Sequence, residues 1–132
     1  MSDNHFNIKA PNLYRCNVYR YSSTLSQLYI RVFKGMSVAP SFYLFFSDVG
    51  YFEGPMNWEG VDFQMQPADD CLSLMRDMGM VEDFLLDDPD TREALTESVH
   101  LYTVKTRHST IRIVGGEAVM MADVPPEEPA PK

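Results

Sequence analysis

The stretch Val61-Asp62-Phe63-Gln64-Met65-Gln66-Pro67-Ala68-Asp69-Asp70-Cys71-Leu72-Ser73-Leu74-Met75-Arg76-Asp77-Met78-Gly79 changes period halfway along. Val61, Phe63 and Met65 alternate with Asp62 and Gln64, the period of a half-buried strand. From Cys71 onward, Cys71, Leu72, Leu74, Met75 and Met78 follow helical spacing instead. Pro67 suits a first helical turn, Asp69 and Asp70 suit the positive end of a helix dipole, and Gly79 suits a C-terminal cap.

Toward the N-terminus the strand period persists. In residues 13–21, Tyr14, Cys16 and Val18 alternate with Arg15, Asn17 and Tyr19. In residues 28–34, Leu28, Ile30 and Val32 alternate with Tyr29, Arg31 and Phe33, and a polar turn between the two runs suggests a hairpin. Phe42-Tyr43-Leu44-Phe45-Phe46 is apolar on both faces, which predicts a central strand covered on both sides. Residues 48–59 hold two glycines, a proline and an asparagine and read as a structured loop or an irregular hairpin connection.

Toward the C-terminus the helical reading continues. Residues 80–86 read as a short helical turn. A second helix start follows, capped either by Asp88 with Pro89 at its first position or by Asp90 with Glu93 three residues on. Strands return over residues 100–106 and 111–114, stopped by Gly115-Gly116. The order β-β-β-β-α-α-β-β predicts an α+β fold: an antiparallel sheet of about five to six strands with the helices packed on one face. The domain plan is a polar N-terminal arm over 1–12, a single domain over 13–121, and a disordered Pro/Glu tail over 122–132.

The 132 residues carry a net charge of −8, which argues against nonspecific binding to nucleic acid or to an anionic membrane. The distribution says more. Residues 1–47 carry five basic groups and one acid, and residues 98–116 carry three basic groups and none. Residues 48–97 carry two basic groups against fourteen acids, and residues 117–132 one against four. The strands are therefore expected to be basic and the helical insert acidic. No secretory signal or membrane-spanning run is visible, and a cytoplasmic protein is expected. Two cysteines, Cys16 and Cys71, are too few for a disulfide framework and lack metal-ligand spacing.

No local motif specifies catalysis. Cys71 lies near a helix start, but Asp69 and Asp70 oppose a thiolate there, and a core role is favoured. His5 falls in the arm, and His100 and His108 bracket a strand with no carboxylate at ligand spacing. No cofactor and no metal are expected. Gly115-Gly116 lacks the Lys-Ser/Thr of a phosphate loop.

Two features stand out. Tyr51, Glu53 and Trp58 put aromatics beside acids on the 48–59 loop, as a recognition surface requires, although Phe52 and Trp58 would equally serve to close the core. Arg15, Arg20, Arg31 and Arg112 fall on strands, where they must meet solvent, an acid or an anion, and Arg15 and Arg31 are expected to share one sheet face with Tyr19 and Tyr29. These five residues (Tyr51, Glu53, Trp58, Arg15 and Arg31) are the candidate site. The favoured expectation is a non-catalytic interaction or regulatory module with a protein partner, able to self-associate, most simply as a two-fold dimer. The alternatives are a binder of a small anionic ligand through the strand arginines, and a small enzyme built on residues such as His100, His108 and Tyr51.

Overall fold

The computed structural model describes residues 4–123. Among them run nine strands and three α-helices in three layers: a five-stranded outer sheet, a four-stranded middle sheet, and the helices. The strands are β1 (Tyr14–Ser22), β2 (Gln27–Lys34), β3 (Phe42–Phe46), β4 (Tyr51–Glu53), β5 (Asn57–Glu59), β6 (Gln64–Met65), β7 (His100–Lys105), β8 (Thr110–Gly115) and β9 (Ala118–Met121). The helices are α1 (Ala68–Asp77), α2 (Asp83–Leu86) and α3 (Pro89–Ser98). The outer sheet has the order β5-β1-β2-β3-β9 and the middle sheet β4-β8-β7-β6. All pairings are antiparallel.

The α+β class is as the periodicity predicts, but the strands divide into two sheets rather than forming one. The division occurs inside the 48–59 segment, expected to be loop. Its two short strands separate: β4 pairs with β8 in the middle sheet, and β5 pairs with β1 in the outer sheet. Each holds only three residues, too few for alternation to show.

The main core lies between the sheets. Ile30, Val32, Leu44 and Phe46 from the outer sheet meet Tyr102, Val104, Ile111 and Ile113 from the middle sheet. On the far side of the middle sheet, Leu101 and Val114 pack against Cys71, Leu72 and Met75 of α1 and Leu86 of α2. The strands buried on both faces are thus β7 and β8. In β3, Leu44 and Phe46 are fully buried, while Tyr43 and Phe45 lie half-buried on the outer face, flanked by other rings rather than by a second layer. Asp88 caps α3 with Pro89 at its first position: its carboxylate accepts from Thr91 N at 3.1 Å and from Thr91 Oγ1 at 2.6 Å.

Residues 4–8, expected in a polar arm, pack against the domain. Phe6 is buried edge-on against Phe46 and Phe63. His5 N donates to Phe63 O at 2.7 Å, and the His5 ring hydrogen-bonds Ala118 O at 3.1 Å. Asn4 is buried because Ile8 satisfies both ends of its amide, at 2.8 Å each. Phe6 and Ile8, two apolar residues among polar ones, are too few to give a periodic signal of this anchoring. Of the expected tail, residues 124–132 lie outside the described residues.

Three buried titratable groups fix how stability responds to alkali. Tyr102, 1% exposed, donates its hydroxyl to Gly116 O at 2.7 Å. Burial, and then the Glu117 charge, push its phenol from the ordinary 10.0 up to about 12. Cys16 and Cys71 are free and buried, and burial pushes both thiols up as well. A raised folded-state pKa gives stability that is whole below the unfolded value and is lost as pH rises through the folded one. Urea unfolding midpoints are therefore expected to hold to about pH 9 and then fall, with Tyr102 alone contributing on the order of 2 kcal/mol. Both thiols should resist a thiol reagent until the chain unfolds.

Candidate functional site

The outer face of the five-stranded sheet is built in cross-strand rows. One row runs Glu59, Arg15, Phe33. The next runs Asn57, Asn17, Arg31, Tyr43, Met121. The third runs Arg20, Tyr29, Phe45, Val119. A bulge between Val18 and Arg20 shifts the register of β1. It lets consecutive residues Tyr19 and Arg20 share this face, where strict alternation would put them on opposite sides.

The arginines lie over rings. The Arg15 guanidinium is 4.8 Å from the centre of Phe33, and Arg31 is 4.9 Å from Tyr19 and 5.7 Å from Phe33. Arg20 is 4.5 Å from Tyr29 and 5.9 Å from Tyr19. Tyr43 and Phe45 continue the aromatic surface, 6.0 Å from Tyr19 and 5.0 Å from Tyr29 respectively. Neutral oxygens orient the cations further. Arg15 donates to Gly35 O at 2.8 Å and to Ser37 O at 2.7 Å. Arg31 donates through two nitrogens to Asn17 Oδ1, at 3.0 and 2.5 Å, and Asn17 Nδ2 donates to Asn57 Oδ1 at 2.6 Å. Among the described residues, neither Arg15 nor Arg31 forms an ion pair, whereas Arg76, Arg92 and Arg112 all do. Ring contact and carbonyls fix these two guanidiniums without neutralising them.

The other expected site residues are dispersed. Tyr51 and Glu53 lie on β4, where Tyr51 packs against the helix-side core. The Tyr51 hydroxyl donates to Glu53 Oε1 at 2.6 Å, and Arg112 Nη1 donates to Glu53 Oε2. The Tyr51 hydrogen bond, followed by the Arg112 charge, holds the Glu53 carboxyl below its usual range, and the same hydrogen bond raises the Tyr51 phenol. This group is closed on itself. Trp58 is 7% exposed in the inter-sheet core, and its indole N–H donates to Gly60 O at 3.0 Å. It closes the core instead of presenting a ring to a partner. Tyr51, Glu53 and Trp58 therefore do not form one surface, because successive short strands join different sheets.

The two histidines named for catalysis stay apart. His100 opens β7, while His108 lies in the turn beyond its other end. Asn17, Phe33, Tyr43, Phe45 and Asn57 complete the arginine face and were not singled out from sequence. The alternation already assigned the first two to the side of Arg15 and Arg31. Arg20 is one of the strand arginines expected from sequence, and the bulge is what brings it to this face.

Comparison with protein-family models, with curated proteins and with solved structures finds no match to this chain. Among the described residues, no helix is long and apolar enough to cross a membrane.

Proposed function

We propose that the protein is a non-catalytic interaction module whose recognition surface is the outer face of the five-stranded sheet, and that its partner carries carboxylates there. The observation behind this reading is the pair Arg15 and Arg31, held over aromatic rings and forming no ion pair among the described residues. Fixing a guanidinium beforehand lowers the entropy cost of binding; the Nε and Nη2 of both arginines are held, and among the described residues their Nη1 groups are left to meet a carboxylate. The loop after β2 adds apolar anchors: Met36 is 92% exposed and Val38 94% exposed. Arg15 holds this loop through the carbonyls of Gly35 and Ser37. Apolar anchors beside oriented arginines are the composition of interface hot spots.

A second reading is self-association. The acidic residues Asp69, Asp70, Asp77, Asp83, Asp90, Glu93 and Glu97 lie on the helices, the layer opposite the arginine face. Two unlike surfaces of this kind fit head to tail, a heterologous contact, rather than as the two-fold dimer expected from sequence.

The test is Arg15→Glu with Arg31→Glu in one chain, compared with wild type. Partners recovered by affinity capture with wild type are expected to fall by at least about tenfold with the variant, the scale of losing a hot spot. Partners that bind both chains equally would refute the assignment. Light scattering at low and high salt tests the second reading: mass that falls as salt rises, and falls likewise in the variant, is the expected sign of it.

A further inference from the structure

Among the described residues, β5 is an edge of the outer sheet and pairs only with β1, in the register Arg15↔Glu59, Cys16↔Trp58, Asn17↔Asn57. The flanking ladder bonds run from Val18 N to Met56 O at 2.9 Å and from Gly60 N to Tyr14 O at 2.8 Å. Antiparallel ladders alternate, so Trp58 faces β1 while the N–H and C=O of Asn57 and Glu59 point away from it.

Those outward groups border a groove of about 1110 Å³ between β5 and the turn after β7. Lys105, Arg107 and His108 line the turn side, and Arg15 and Asn57 line the strand side. Among the described residues, Glu59 is the only carboxylate residue lining it. Among the described residues, neither Lys105 nor Arg107 forms an ion pair. In a protein of net charge −8, this is a local concentration of unneutralised cations beside unpaired main chain.

We propose that the groove takes an extended, carboxylate-bearing peptide of a partner protein as an added strand on β5. Its main chain pairs with Asn57 and Glu59, and its acidic side chains meet Lys105, Arg107 and Arg15. Strand addition of this kind takes affinity from main-chain bonds and selectivity from the flanking side chains. Two outward residues supply few bonds, so charge carries most of the selectivity. The inference rests on the interaction-module reading and specifies its partner. Asn57 joins the two surfaces, since it lines the groove and hydrogen-bonds the Asn17 that orients Arg31.

The probe is a fluorescent peptide of alternating Glu and Val, with its Lys-Val counterpart as control, titrated by polarisation against the full chain. The acidic peptide is expected to bind and the basic one not. Against Glu59→Gln, which matches it in charge, Glu59→Pro removes one outward N–H and no ladder bond to β1, and is expected to weaken binding by about tenfold. Lys105→Glu with Arg107→Glu should do the same without altering β5. Glu59→Gln removes the opposing charge and should strengthen binding by a few-fold. Circular dichroism confirms that each variant is folded.

Equal binding of both peptides, no binding of the acidic one, or indifference to both groove variants overturns the proposal. Binding lost with Arg31→Ala but kept in the groove variants overturns the groove and leaves the sheet-face reading standing. Binding lost only in the groove variants does the reverse. If Glu127→Gln with Glu128→Gln raises affinity about tenfold, the occupant is the chain's own C-terminal segment, and a partner peptide is ruled out.

Discussion

Phe46→Ala is expected to lower the unfolding free energy by about 3–5 kcal/mol, the cost of truncating a fully buried aromatic residue. Phe46 is 0% exposed. Its ring lies 6.0 Å from Phe6, 5.5 Å from Phe63 and 5.4 Å from Tyr102. These neighbours come from the N-terminal segment, the approach to β6, and the middle sheet. No single element can move to fill the void, because each is fixed by its own main-chain bonds. Phe46→Leu keeps most of the volume and should cost about 1–2 kcal/mol. Urea denaturation of both variants checks this. A cost below about 1 kcal/mol for alanine would mean that the two sheets close over the gap.

Gly115→Ala is expected to cost about 1–3 kcal/mol, although it adds only a methyl group. A Cβ at residue 115 would stand 2.9 Å from Ser47 O, a main-chain atom with little freedom to yield. Ser47 is the clasp between β3 and the β8–β9 connection. Its carbonyl accepts from Gly116 N at 2.7 Å, and its amide donates to Glu117 O at 2.9 Å. Its hydroxyl accepts from Glu117 N at 2.9 Å. The added methyl pushes on the atom that holds this clasp. Gly35→Ala is the contrast: nothing lies within 4 Å of its would-be Cβ, so the cost there comes from a φ of 56° rather than from crowding. Thermal melts of the two variants separate the causes, since only Gly115→Ala should also loosen the pairing of β9.

At Gly115-Gly116 the local pattern determines only part of the structure. As strand terminators they were legible, and β8 does end at Gly115. Their second role, close approach to Ser47, depends on a partner almost seventy residues away, which no local pattern contains. The same holds for β9. Ala118-Val119-Met120-Met121 shows no alternation and becomes a strand because β3 offers it an edge. β1, β2, β3 and α1 were legible because local chemistry determines them, and the Asp88 cap is one of two that the local pattern allows. Division into two sheets was not, because it depends on two three-residue strands whose neighbours are distant.

The candidate site divides the same way. Arg15 and Arg31 were legible as an outward pair, since period two fixes which side of a strand each residue takes. Tyr51, Glu53 and Trp58 were grouped by proximity in sequence. β4 and β5 then carried them to different layers. Trp58 went to the core because its indole has a carbonyl within reach and rings on both sides.

The closing of the outer sheet by its last strand also bears on how the protein is made. Asn17 meets Asn57 across 40 residues, and Ser47 meets Glu117 across 70. Each such pairing closes a long loop before it returns any contact energy, which places the chain among slower folders. On the ribosome, β1 to β3 emerge well before β9 exists. Until residue 121 is released, β3 is an open edge bearing Tyr43 and Phe45, the point in synthesis where a nascent chain is most exposed to pairing with a neighbour.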